Sequence, residues 1–486
     1  MTARNIVVVL SDQQRADLCA REGFPLDTTP NTDRLAREGV WFNRAYTTSP
    51  LCCPARTSLL TGRYPGAHGV RENPAMSLAR FEQDLPGLLR SAGYATALVG
   101  KNHSYLTERD LDHYEPYLHG GALGPVREDE ARFDRWLTEL RHRTHPEPTP
   151  FPVELQCPHR IVTSAQRWVE TVGDQPFFLL LSFPEPHNPY QVPEPYFSLF
   201  PPESLPPVAT GPEDTAGRCF PWQYLRRLEE AADPELAQSI PRARANYLGM
   251  LRLIDDQIQR FTTFLHERGL LADTVLVTTA DHGDFVGEYG LLRKGPEVPE
   301  VLCRIPLTVR GPGVVARPDP SSAHVSLADL LPTLAEAAGL PVPPGVQGRS
   351  FWPLLTGDRP EPGEFTSAYV EQGIGGRTYT AADVPDPMPG LGGPQDLFDF
   401  DELNAVTQGG HRRMVRRGDW KLVLDEAGTG QLYHLAEDPF ETVNLWSGPE
   451  HASTRDGLLV ELLRWMLHAQ DPLPLPDHGY PRKLPG

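Results

Sequence analysis

The chain has 486 residues, 39% of them hydrophobic and 22% charged, which places it with globular proteins of more than one domain rather than with disordered chains. Asp and Glu total 64 against 45 Lys and Arg, a net charge of −19. A field of that sign repels phosphate backbones and anionic lipid, so nucleic acid and membrane surfaces are excluded as partners; an anionic small molecule needs a local cationic pocket.

Taken in chain order, the first apolar run is 6–10, which ends at Ser11-Asp12 and is too short for a secretory signal or a membrane span. A cytoplasmic protein is expected. The six cysteines, Cys19, Cys52, Cys53, Cys157, Cys219 and Cys303, are too few and too irregular for a disulfide framework, and none forms a CxxC pair. Thr29-Pro30 signals a cap and first turn, leading into a helix over 31–38 that ends at Gly39. Further strands are predicted at 40–46, 95–99, 177–182 and 274–278, and further helices at 84–92 and 243–268. The last of these carries Tyr247, Leu251, Ile254, Ile258, Phe261 and Leu265 at three- and four-residue steps. Near-continuous apolar strands alternating with helices predict an α/β fold: a large, mostly parallel sheet sandwiched between helices. The 52 prolines predict many irregular loops, above all at 107–158 and 184–233, where substrate selection is expected.

The character changes near residue 380. A Pro- and Gly-rich linker is expected at 385–394, then hairpin strands at 413–416, 420–424 and 431–434 with a turn at Gly428-Thr429-Gly430. A final amphipathic helix has Leu458, Leu459, Leu462, Trp465 and Met466 on its apolar side. This gives a large α/β domain over 1–380 and a small C-terminal α+β subdomain with a short antiparallel sheet over 381–486.

Unusual polar clusters follow the predicted strands directly. They are Asp12-Gln13, the run Cys52-Cys53-Pro54-Ala55-Arg56, Lys101 with His103, His187, and Asp281-His282. In open parallel sheets ligands sit beyond the carboxyl ends of the strands, so these residues are expected to converge there. Asp12, Gln13, Asp281 and His282 form a donor set suited to a hard divalent cation, while the imidazole also accepts manganese, zinc or iron. Pro54 suits a first helical turn, which would leave Cys52 just ahead of a helix N-terminus, with its thiol pKa lowered and Arg56 one turn on. Cys53 is expected to be a small buried side chain, and Asp284 a turn cap.

Together these residues resemble the type I sulfatase family of the alkaline phosphatase superfamily. The resemblance rests on Cys52-x-Pro54-x-Arg56 followed by Leu59-Leu60-Thr61-Gly62-Arg63, on Thr29-Pro30-Asn31 through Ala36, and on Gly100-Lys101-x-His103. Asp281-His282-Gly283-Asp284 through Leu291, Lys294, and Leu432-Tyr433 through Asn444-Leu445 extend it over most of the chain. The resemblance implies hydrolysis of a sulfate monoester, releasing sulfate and an alcohol, by a formylglycine hydrate made from Cys52. It implies a formylglycine-generating enzyme as partner, a small anionic ester as substrate, and one divalent metal on Asp12, Gln13, Asp281, His282 and modified Cys52. Calcium is the first expectation and manganese the alternative. Arg56 would hold the modified residue, Lys101 would stabilise the diol, and His103 would be the base for elimination. His187 and Lys294 would bind sulfate and assist the leaving oxygen. Three departures stand out: Ala55 where Ser is usual, Gln13 where many members have Asp, and His282 where many have Asn. Gln and His resemble the phosphonate monoester hydrolase and phosphodiesterase branch, the alternative activity, as well as some bacterial sulfatases. The leaving group and the oligomeric state are left open, with His113, Tyr114, Tyr190 and Trp222 as loop candidates for substrate contact.

Overall fold

The structure, a computed structural model, describes residues 5–471 except 142, 359–362, 377 and 384–404. The strands in chain order are β1 Asn5–Asp12, β2 Val40–Phe42, β3 Ala45–Tyr46, β4 Ala95–Lys101, β5 His113–Leu118, β6 Gly121–Ala122, β7 Phe177–Pro186, β8 Thr274–Ala280, β9 Leu307–Arg310 and β10 Val325–Ser326. Eight of them form one sheet in the order β2-β9-β8-β1-β7-β4-β5-β6. Its middle five, β8-β1-β7-β4-β5, are parallel, while β2, β9 and β6 pair antiparallel at the edges.

The apolar runs predict this arrangement because alternate residues of a strand point to opposite faces. In β1, Ile6, Val8 and Leu10 pack on one side with Leu59, Leu60, Leu89 and Leu331. Val7 and Val9 pack on the other with Ile161, Val162, Phe261 and Leu265. Each such side chain contributes roughly 1.5–3 kcal/mol on full burial, so a strand apolar on both faces belongs at the centre. Gly100 is needed where β4 meets β7: it has φ +114, and a Cβ there would overlap the Ser182 carbonyl oxygen.

Several expectations are corrected. The predicted strand at 40–46 is two strands: β2 pairs with β9, whereas β3 pairs with β10 in a separate two-stranded sheet. The long helix is Leu236–Glu267, starting seven residues before 243 and containing Pro241. The predicted loop regions hold β5, β6 and the helices Glu128–Glu139 and Phe220–Ala232, and the helix Cys157–Val172 was not foreseen.

A second sheet, antiparallel, joins β11 Ser367–Gln372, β12 Arg412–Arg417, β13 Trp420–Asp425 and β14 Gly430–His434 in that order. Its first strand comes from before residue 380. The helix Ala452–Ala469 covers it with Leu458, Leu462 and Trp465, while Met466, expected on the apolar side, is 38% exposed. The predicted linker at 385–394 lies outside the described residues. No helix among the described residues is long and apolar enough to cross a membrane.

Candidate active site

The order of the five parallel strands sets the order of the polar groups at their carboxyl ends. Asp281-His282 follow β8, Asp12 ends β1 with Gln13 next, His187 follows β7, Lys101 ends β4, and His119 follows β5. Neighbouring strands lie about 4.8 Å apart, so five consecutive ends deliver their side chains to one continuous edge. The helix Cys52–Thr61 supplies Cys52 and Arg56 from above that edge. Cys52 is its first residue and Leu51 its N-cap, so the helix begins two residues before Pro54.

Cys52, Asp12, Asp281 and His282 are fully buried, and one donor atom from each lies within 4.8 Å of the others. Cys52 Sγ is 3.2 Å from His282 Nε2 and 3.5 Å from Asp12 Oδ1. The His282 Nδ1–H donates to the Gly283 carbonyl at 2.8 Å, which leaves the Nε2 lone pair facing the carboxylates. Burial, aided by Lys294 and Lys101, pushes the His282 pKa down to about 4 against the pull of Asp281, so the ring is neutral at pH 7. Burial alone would raise the Asp281 carboxyl, but His282, Arg56 and Lys101 hold it well below the usual carboxylate range.

Gln13 has φ 68, and its backbone N–H donates to Asp281 Oδ1 at 3.0 Å. Its side-chain amide bridges Asp284 and Lys294, the latter at 2.9 Å, beside the four-residue cluster. Asp284 caps Val286 N as expected, but its other oxygen accepts from Gln13 and from Tyr190 OH, and burial lifts its pKa to about 6. Arg56 grips Asp281 Oδ2 through Nε at 2.8 Å and donates from Nη1 to the Lys101 carbonyl and Ser182 Oγ at 2.9 and 2.8 Å.

Lys101 Nζ is ion-paired with Asp12 Oδ2 and stands 3.7 Å from Cys52 Sγ. Its ammonium also donates to His119 Nε2 at 2.9 Å. Across the site, Lys294 Nζ donates to His187 Nε2 at 3.0 Å, while His187 Nδ1 donates to the Asn188 carbonyl at 2.7 Å. His103 is held well below the ordinary imidazole value by burial, then by Lys101, Arg56 and Lys294. All ten residues expected from the sequence are therefore at or beside one centre. Arg56, Lys101 and Lys294 set three cations against the carboxylates Asp12 and Asp281, the local positive region a −19 protein needs to admit an anion.

The expected low thiol pKa is corrected. Cys52 is pushed up to about 12 by burial, with Asp281 reinforcing and Lys294 and Arg56 opposing. Cys53 is buried as expected, and its N–H donates to Asn73 Oδ1 at 3.1 Å. Two of the loop candidates are structural: Trp222 is wholly buried among Phe285 and Tyr289, and His113 stacks on Trp168. His119 and Asn73 escaped the sequence reading. The signal for His119 was its place after a strand, but His-Tyr-Glu-Pro-Tyr-Leu, with a central proline and a glutamate, does not look like one.

A sequence profile of the sulfatase family matches residues 4–340. The chain belongs to the sulfatase family. It is an enzyme of sulfate-ester hydrolysis. Among its relatives, it is 27% identical to an arylsulfatase of Clostridium perfringens over 95% of this chain and 94% of that protein. It is 30% identical to the multifunctional alkaline phosphatase superfamily protein PehA of Trinickia caryophylli over 97% and 96%. The phosphonate monoester hydrolase SpPMH from Silicibacter pomeroyi superposes with a TM-score of 0.77 over 96% of both chains at 23% identity, a likeness of fold.

Proposed function

We propose that this sulfatase hydrolyses a small sulfate monoester through formylglycine formed from Cys52, with one divalent cation. The observation that carries this reading is the state of residue 52. It is wholly buried between Asp12, His282 and Lys101, and burial leaves its thiol protonated at neutral pH. As sulfur it is a poor nucleophile in the position where a nucleophile belongs. A hydrated aldehyde at that position offers two hydroxyls on one carbon, one to attack sulfur and one whose deprotonation expels sulfate.

The residues fit a divalent cation. Two buried carboxylates, a neutral imidazole with its lone pair turned inward and the side chain at 52 form a compact, mostly oxygen donor set. Asp12, Asp281, His282 and the modified residue 52 would hold it, with Gln13 alongside. When bound, such an ion supplies Lewis-acid stabilisation of the attacking oxygen and the sulfate oxygens. Calcium suits the carboxylates; the imidazole and the uncharged amide in place of a second aspartate also suit manganese.

The remaining roles rest on the family resemblance together with the contacts. Arg56 fixes Asp281 and the end of β4. Lys101 holds its charge on the atom at 52. The role of His103, to take the proton whose loss expels sulfate, rests on the family resemblance; burial and the nearby cations Lys101, Arg56 and Lys294 keep its ring uncharged. The Lys294–His187 pair holds a proton for the leaving oxygen. The other five cysteines, few and irregularly spaced, support a reducing, cytoplasmic setting.

The test is steady-state turnover on matched aryl sulfate and aryl phosphonate monoesters, with calcium or manganese supplied. A higher kcat/KM on the sulfate is expected. The reverse order would favour the phosphonate reading, which Gln13 and His282 support.

A further inference from the structure

We infer that His119 is a positioning residue for the reaction: it holds the Lys101 ammonium in place against the atom at residue 52. This rests on the sulfatase reading above and adds a residue to it.

Three observations converge. First, the topology places His119 immediately after β5, the fifth consecutive parallel strand, at the edge where the other four deliver the site residues. Second, an ammonium has three N–H donors, and Lys101 has three acceptors around it: Asp12 Oδ2, the side-chain atom of Cys52 and His119 Nε2. Asp12 and His119 thus fix two of the three directions and leave the third aimed at residue 52. Accepting from an ammonium requires the Nε2 lone pair, so His119 is neutral with its proton on Nδ1. Third, the ring is itself fixed. It stacks on His187 with centroids 3.7 Å apart and 21° between planes, and its edge meets His103 at 5.2 Å. Two lysine–histidine pairs, Lys101–His119 and Lys294–His187, therefore stand ring against ring across the site.

A flexible four-carbon side chain without this acceptor has more directions open to it, and a misplaced charge stabilises the reacting atom less. Because Lys101 acts on the nucleophile, the loss should fall on kcat rather than KM. Three variants separate the hydrogen bond from the stack. His119→Ala removes both, His119→Phe keeps a stacking ring without an acceptor, and His119→Gln keeps an acceptor oxygen without the ring.

The experiment is steady-state kinetics of these variants and the wild type on the aryl sulfate and the aryl phosphonate. Rates are taken per formylglycine, with that content measured by mass spectrometry. We expect kcat to fall about ten- to a hundredfold in His119→Ala and His119→Phe, with KM little changed and with His119→Gln recovering most of the loss. Wild-type kcat in His119→Phe, or a loss confined to KM, in a preparation whose wild type is active, would overturn the inference and leave the sulfatase reading standing. A wild type inactive on both esters would overturn that reading, and the inference with it.

Discussion

At the scale of single residues, the roles proposed for Lys101 and His282 and the contacts of each dictate different consequences of losing them. Lys101 is fully buried and touches the atom at 52, so Lys101→Ala should lower kcat about a hundredfold or more while KM moves much less. An equal weakening of KM with kcat intact, in the same steady-state assay, would contradict its placement. His282 turns one neutral nitrogen on the carboxylates, so His282→Ala should lower the metal retained after dialysis, measured by atomic emission, and activity should return only at higher metal concentration. The residues that follow strong apolar strands were legible in the sequence: Asp12 after a valine run, Lys101 after Ala-Leu-Val-Gly, Asp281 after Leu-Val-Thr-Thr-Ala. Asn73 was not, because it reaches the backbone of Cys53 from a short turn with no pattern of its own. The thiol pKa was misjudged for a related reason. A helix N-terminus is visible in sequence, but the burial that overrides it is a tertiary property.

At the scale of elements, β4 depends on a residue without a side chain. Gly100 combines a positive φ with close approach to the Ser182 carbonyl, and it immediately precedes Lys101. Gly100→Ala should therefore destabilise the fold by about 1–3 kcal/mol in urea titration, since either β4 or β7 must give way. An unchanged midpoint would show that the two strands have room to spare. The central strands were readable because burial on both faces demands unbroken apolar runs. The edge was less so. Val40 to Tyr46 looks like one strand, yet Asn43 and Arg44 interrupt it, and its two halves pair with different partners. The helix Cys157–Val172 was overlooked although Ile161, Val162, Ala165, Trp168 and Val169 follow helical spacing, because a proline-rich stretch leads into it.

At the scale of the whole molecule, the C-terminal sheet is fastened to the catalytic layer through buried charge. Glu300 accepts from Tyr46 OH at 2.6 Å and pairs with Arg416 of β12 and Lys421 of β13, while Lys421 also meets Glu441 at 2.8 Å. Burial alone would raise the Glu300 carboxyl, but Arg416, Lys421 and Arg304 outweigh it and bring its pKa from 4.5 down to about 2. A lowered folded-state pKa contributes stability that is fully present above 4.5 and lost as pH falls from there through about 2. Glu300→Gln should thus lower the melting temperature at neutral pH, and the gap to wild type should narrow as the solution is acidified through that window. A gap independent of pH would show that the ion pairs contribute nothing through ionisation. None of this network was legible in the sequence, since its members lie far apart and each looks like a solvated charge.

Every role proposed above depends on residue 52 acting as an oxygen nucleophile made from cysteine. The most direct measurement varies the fraction of chains carrying the aldehyde at that position, by co-expressing the generating enzyme to different extents, and follows aryl sulfate turnover with the metal held constant. Turnover rising in proportion to aldehyde content and vanishing with Cys52→Ala is the predicted result. Turnover that persists in preparations without the aldehyde, or that survives the alanine substitution, would contradict it.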